Sequence, residues 1–358
     1  MRVIAYLFII IFALAPIQAF AQEAEEPMYQ SASVLVMCAD TGEILYENEG
    51  YTRRYPASIT KIMTALLVLE YVEDLNESIT FSRRAVSIPY YASRVGMLEG
   101  ESITVMQALY GLLLSSGNEI AWALAEHISD SIPEFVNLMN MRAWELGAFS
   151  TRFVNPCGLP GDGQFVTAYD MALIMQAAIQ HPVYLDIIST VFYAIPPTQL
   201  YDKPRGLVNT NRMIRRGRTE FNPFAVGGKT GFTNAAQHTL VSYARNDSHG
   251  LIISVLYAPL GVTFTDTTAL ISHVFEMLDA QEVEIIEPYI PFVYEYEEAT
   301  AEATEIISEP APPLVYSISF EDSTRRSTGE DIFILAAIVV MGVIVSVLVV
   351  MLIKWTRL

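Results

Sequence analysis

At 358 residues with 52% apolar side chains, the chain can bury a sizeable core in one large domain with appendages or in two modest ones. A formal net charge of -19, from 40 acidic against 21 basic residues, argues against nucleic acid or another polyanion as partner, because such ligands need clustered Lys and Arg. The two cysteines, Cys38 and Cys157, read as structural with a bridge between them left open, and the five scattered histidines have no ligand spacing. Neither a metal nor a cofactor is indicated.

In chain order, Arg2, the apolar run 3–14 and the small-x-small site Ala19-Phe20-Ala21 predict a secretory signal peptide over residues 1–21, and hence export. The body is expected over 31–280. It opens with a hairpin, strands 33–38 and 43–46 about the turn Asp40-Thr41-Gly42. From Ser58 the apolar period becomes helical, with helices expected at 59–70, 104–114, 119–128, 133–146 and 168–180. Strands return at 226–232, 238–244 and 251–257, followed by a closing helix at 265–278. The economical arrangement is an α/β fold of the α+β kind. Early hairpin and late strands form one antiparallel sheet flanked by helices, with a helical lobe inserted between them.

Residues 281–330 turn acidic and rich in Pro and Glu, the composition of a solvated linker, with 283–286 as a short additional strand. Residues 332–353 carry no charge, and at 1.5 Å per residue such a helix spans the roughly 30 Å hydrocarbon core. Lys354 and Arg357 follow, which favours a cytoplasmic tail at 354–358 and places the body on the extracytoplasmic side of the cell membrane.

Lysine is scarce, only Lys61, Lys203, Lys229 and Lys354, so motifs that use it stand out. Ser58-Ile59-Thr60-Lys61 sits at a helix start, where positions i and i+3 share a face and the lysine amine can reach the serine hydroxyl. A serine hydroxyl needs such a base, and lysine serves only if burial or a nearby cation lowers its pKa. Ser116-Gly117-Asn118 falls in a turn between helices, a place where polar side chains can point into a cleft but which also suits a plain helix-helix turn. Lys229-Thr230-Gly231, preceded by Gly227-Gly228, lies on a predicted strand. Glycines there mark close backbone approach, and the strand could hold a peptide edge-on while Lys229 and Thr230 meet a carboxylate.

The ordered set S-x-x-K, S-x-N, K-T-G resembles the penicillin-binding proteins and class A β-lactamases. Tyr55-Pro56-Ala57-Ser58, Asn155-Pro156-Cys157-Gly158-Leu159, Thr167-Ala168-Tyr169-Asp170 and Gly228-Lys229-Thr230-Gly231-Phe232-Thr233 extend the likeness to the low-molecular-weight D-alanyl-D-alanine carboxypeptidases, over about residues 32–280. The resemblance implies a penicillin-binding-protein fold and a peptidoglycan stem peptide ending in D-Ala-D-Ala as substrate, with β-lactams as acylating inhibitors. It makes Ser58 the nucleophile, Lys61 its base and Ser116 the proton relay. Asn118 holds the substrate amide, Lys229 and Thr230 bind the terminal carboxylate, and the N–H groups of Ser58 and Phe232, beside Gly231, form the oxyanion hole. Gln164-Phe165-Val166 and Gln237-His238 depart from the family pattern and bear on substrate preference. A β-lactamase would need a carboxylate to activate the deacylating water, and the only acid in the loop after Leu159 is Asp162, a turn former between glycines. A non-catalytic penicillin-binding sensor has little reason to keep Ser58, Lys61, Ser116 and Lys229 together, while endopeptidase or transpeptidase action stays open.

Overall fold

The computed structural model describes residues 27–281 together with Ile285, Ile286 and Pro288. The chain divides after Tyr294 into two units, and every described residue lies in the first. The expected signal peptide, apolar span and tail, and most of the expected linker, lie outside the described residues. Among the described residues no single helix is long and apolar enough to cross a membrane.

Nine strands are described: β1 (Ser33–Cys38), β2 (Ile44–Asn48), β3 (Ser78–Thr80), β4 (Ser102–Thr104), β5 (Phe192–Ile195), β6 (Arg205–Val208), β7 (Ala225–Thr233), β8 (Gln237–Arg245) and β9 (Gly250–Ala258). Five of them form one antiparallel sheet in the order β2-β1-β9-β8-β7, so the early hairpin and the late strands meet as the sequence predicts. Val34 to Met37 are all fully buried, because successive side chains point to opposite faces and both faces are covered. Leu35 and Met37 join a core with the Lys61–Tyr71 and Ala168–Ala178 helices, whereas Val34 and Val36 pack with the closing helix, Thr263–Ala280.

The inserted lobe contains the Val105–Leu113, Asn118–Ile128 and Ile132–Glu145 helices. Their starts are fixed by side chains that satisfy the first N–H groups: Thr104 and Gln107 form a reciprocal capping box, and Ser131 caps a helix with a proline in its first turn. The two-stranded β3-β4 and β5-β6 pairs and the Pro182–Ser189 helix were not among the elements expected from periodicity. Each is too short to show a period and is held by tertiary contact. Ile286 donates its N–H to the Ile44 carbonyl at 3.0 Å, so the body reaches beyond residue 280 and the outer strand β2 gains a partner there.

Candidate active site

Ser58 lies in a 3-10 turn, Ala57–Thr60, that runs directly into the Lys61–Tyr71 helix. Ala57 takes the left-handed conformation, φ 52, which costs a non-glycine residue energy and is tolerated where the surroundings fix it. Gly158 is one such surrounding: a Cβ there would lie 1.8 Å from the Ala57 carbonyl oxygen, so only glycine permits this approach. Thr239 on β8 donates to the Pro56 carbonyl at 3.0 Å, and Thr64 donates to the Pro156 carbonyl at 2.6 Å. The turn is thereby fastened to both the sheet and the 155–159 loop.

Lys61 is fully buried, and its Nζ sits 2.9 Å from Ser58 Oγ, 3.0 Å from Asn118 Oδ1 and 2.8 Å from the Cys157 carbonyl. Burial pulls its pKa down to about 8, against the opposing influence of Cys157 and Glu119. Asn155 Oδ1 shapes the loop that offers the Cys157 carbonyl by accepting from the Cys157 and Gly158 N–H groups at 3.2 and 2.7 Å. Lys229 is buried as well; its pKa is lowered well below the usual value by burial and by Lys61, and its Nζ donates to the Thr230 carbonyl at 2.9 Å.

Above the lysines opens a cleft of about 740 Å³. Ser58, Ser116, Asn118, Thr230, Gly231 and Phe232 all line it, so six of the eight predicted site residues face one space. Lys61 and Lys229 do not line it, and lie beneath its floor. Lys229, expected to meet a carboxylate, is fully buried and donates to the Thr230 carbonyl, with the Lys61 amine as an electrostatic neighbour. Ser116 adopts φ 59 and its buried hydroxyl has no hydrogen-bond partner among the described residues. Gly231 is required by proximity, since a Cβ there would lie 2.9 Å from the Ser58 nitrogen and 2.4 Å from Thr239 Oγ1.

Several cleft residues escaped the sequence reading. Thr210 Oγ1 accepts from Thr230 Oγ1 at 2.7 Å, and Arg212 is the one lysine or arginine in the cleft lining. Arg212 is paired with Glu220 at 2.6 Å and stacked 4.9 Å from the Phe264 ring centre. The signal was the polar run Asn209-Thr210-Asn211-Arg212 between two strands. His238 lines the cleft against the Phe232 ring, whereas Gln164 holds the 154–159 loop through the Val154 N–H and the Leu159 carbonyl. The two departures from the family pattern therefore differ, one facing the cleft and one bracing the loop beside it. Cys38 and Cys157 are both free thiols.

Residues 20–259 match the family model described as D-alanyl-D-alanine carboxypeptidase. This chain belongs to that family. D-alanyl-D-alanine carboxypeptidase DacF of Bacillus subtilis is 34% identical over 70% of the chain and 64% of its own length. DacB2 of Mycobacterium tuberculosis is 33% identical over 66% of the chain and 78% of its own length. The Streptomyces K15 DD-transpeptidase crystal structure superposes with a TM-score of 0.65 at 27% identity, covering 70% of this chain and 99% of that one. Family and fold together make the chain a serine peptidase of the low-molecular-weight penicillin-binding class, as the motif order implied.

Proposed function

We propose that the chain removes the terminal D-alanine from peptidoglycan stem peptides ending in D-Ala-D-Ala, through an acyl-enzyme on Ser58. The observation that carries this is the 2.9 Å contact of Lys61 Nζ with Ser58 Oγ, the hydroxyl facing the cleft and the amine buried below it. With its pKa held near 8, Lys61 is about one-tenth neutral at pH 7, far more than an ordinary lysine, and in that form takes the Ser58 proton as the oxygen attacks the penultimate D-alanine carbonyl. The Ser58 and Phe232 N–H groups receive the developing oxyanion. The peptide pairs with the open edge of β7, Asn118 holds its amide, and Ser116 passes the proton to the departing D-alanine nitrogen. The terminal carboxylate meets Lys229 and the Thr230 hydroxyl, with the Arg212 guanidinium in the same cleft. Water then completes hydrolysis.

No aspartate or glutamate occurs among the described residues that line the cleft, which speaks against a dedicated deacylating carboxylate and so against a β-lactamase. β-Lactams, whose ring copies D-Ala-D-Ala, are accordingly slow-turnover acylating inhibitors. The charged-then-apolar start and the uncharged 332–353 stretch followed by Lys354 and Arg357 support export and a C-terminal membrane anchor with the active site outside the cell membrane. Mass measurement of a D-Ala-D-Ala peptide after incubation with the protein tests the activity: loss of one D-alanine, abolished in Ser58→Ala, is the expected result. No release, or a β-lactam adduct on any residue but Ser58, would refute it.

A further inference from the structure

Glu119 follows Asn118 directly and is unlike the other acids near the cleft. Its side chain is 2% exposed and has no ion-pair partner among the described residues. Oε1 accepts two backbone N–H groups, Val95 at 2.6 Å and Gly96 at 2.8 Å, while Oε2 is buried with no hydrogen-bond partner among the described residues. A carboxylate buried without a counter-ion is costly, and a structure keeps one where its charge or its bonds serve another group.

Two neighbours receive that service. The loop Glu119 fastens carries Tyr91, Ala92 and Ser93, which form one wall of the cleft. The Ser93 carbonyl accepts both from Asn118 N–H at 3.0 Å and from Asn118 Nδ2 at 2.8 Å. That second bond decides which way the Asn118 amide is turned: with Nδ2 on Ser93, Oδ1 is left facing Lys61 Nζ at 3.0 Å. Arg205 braces the same turn from its far side by donating to the Gly96 carbonyl at 3.1 Å.

We propose that Glu119 is a positioning residue of the reaction, its carboxylate tying the Val95–Gly96 turn to the helix that begins at Asn118 and acting by its charge on Lys61. It holds the Ser93 carbonyl where it orients Asn118. Lys61 contacts Ser58 on its own turn, Asn118 on the Asn118–Ile128 helix and the Cys157 carbonyl of the 155–159 loop, and it is coupled electrostatically to Lys229 on β7 and to Glu119. Of these, only Glu119 combines a negative charge with a place outside the cleft lining.

The inference rests on Lys61 acting as the base, so it is read from β-lactam acylation of Ser58 as a function of pH. Glu119→Gln keeps an oxygen acceptor for Val95 and Gly96 and removes the charge. Because Glu119 raises the Lys61 pKa, its loss lets Lys61 become neutral at lower pH. The rising limb of the acylation profile should therefore move to lower pH in Glu119→Gln, and stay with the parent in Glu119→Asp. Coincident limbs in Glu119→Gln and parent overturn the proposal whatever the plateau, since a merely structural acid would leave the limb in place. Thermal melting of Glu119→Gln within a few degrees of the parent certifies the comparison, and unfolding of that variant moves the test to Glu119→Asn, whose limb must likewise move down. Failure of the parent to be acylated would strike the proposed function instead.

Discussion

Two places among the described residues bury a cation, and they treat it in opposite ways. Arg205, 6% exposed, is clamped by Glu101 through two bonds of 2.7 and 2.9 Å, with Thr198 on the same carboxylate and Tyr201 stacked 4.0 Å from the guanidinium. Burial pushes the Glu101 carboxyl up, but Arg205, Thr198 and the Leu98 N–H outweigh it and hold its pKa below the usual value. Lys61 and Lys229, equally buried, have no carboxylate within ion-pair distance among the described residues, and burial drives both pKa values down. A scaffold that can neutralise a buried charge withholds neutralisation at the cleft. One cation fastens two loops, and the others are kept ready to lose a proton.

The sharpest way to break this contrast is Lys61→Met, which keeps an apolar stem and deletes the base. Acylation by a β-lactam should fall by about 10² to 10⁴-fold, read as the rate of adduct formation on intact protein. Near-parent acylation would make another group the base. Arg205→Ala acts at the other site, where it strands the Glu101 carboxylate in the core. A loss of about 3–5 kcal/mol in denaturant unfolding is expected, with some effect on the cleft through Gly96. A loss under about 1 kcal/mol would show the pair to be replaceable by water.

Lys61→Met should also reverse sign in stability. The unfolded chain holds the Lys61 proton up to about 10.5 and the folded chain only to about 8, so unfolding takes up a proton between those values and stability rises with pH across that window. Below it the full cost applies, about 3 kcal/mol for a shift of this size. Lys61→Met escapes that cost, so it should be more stable than the parent at pH 7 and lose the advantage on approaching pH 10.5. A gap that does not change with pH would mean the lysine is charged in the fold. The smallest effect is expected from Arg212→Gln, whose KM should rise about tenfold for a peptide with a free terminal carboxylate and barely change for the amidated peptide. Equal changes for both would remove Arg212 from carboxylate recognition.

Much of this was legible beforehand because the chemistry is written in local words. Ser58 and Lys61 share one turn of helix, and the 225–233 strand carries its glycines where β7 passes the Ser58 nitrogen; the spacing flagged them, and the ordered set of three motifs with the family resemblance gave them their roles. The sheet followed from five apolar runs with turn residues between them. What local pattern could not give was burial at a single residue: Lys229 is fully buried, whereas its neighbour Thr230 lines the cleft. Arg212, Ser93 and Glu119 lie outside the three motifs and become functional only through contacts across 20 or more residues, such as Glu119 with Val95. The β5-β6 pair went unseen for the same reason, its strands being four residues each.

β7 is the last strand of its sheet, and a strand in that position displays a row of unsatisfied N–H and C=O groups that can recruit another protein's edge. The Pro182–Ser189 helix covers part of it, close enough that a Cβ on Gly227 would lie 2.5 Å from the Ile188 carbonyl oxygen. The stretch Thr230 to Thr233 lines the cleft together with Ser116, Asn118, Leu159 and Pro160. One extended peptide fits such a slot; a neighbouring sheet, which needs room for its own flanking strands, does not. Selective recognition of its guest and protection against edge-to-edge aggregation are in this way one property of a single recessed strand.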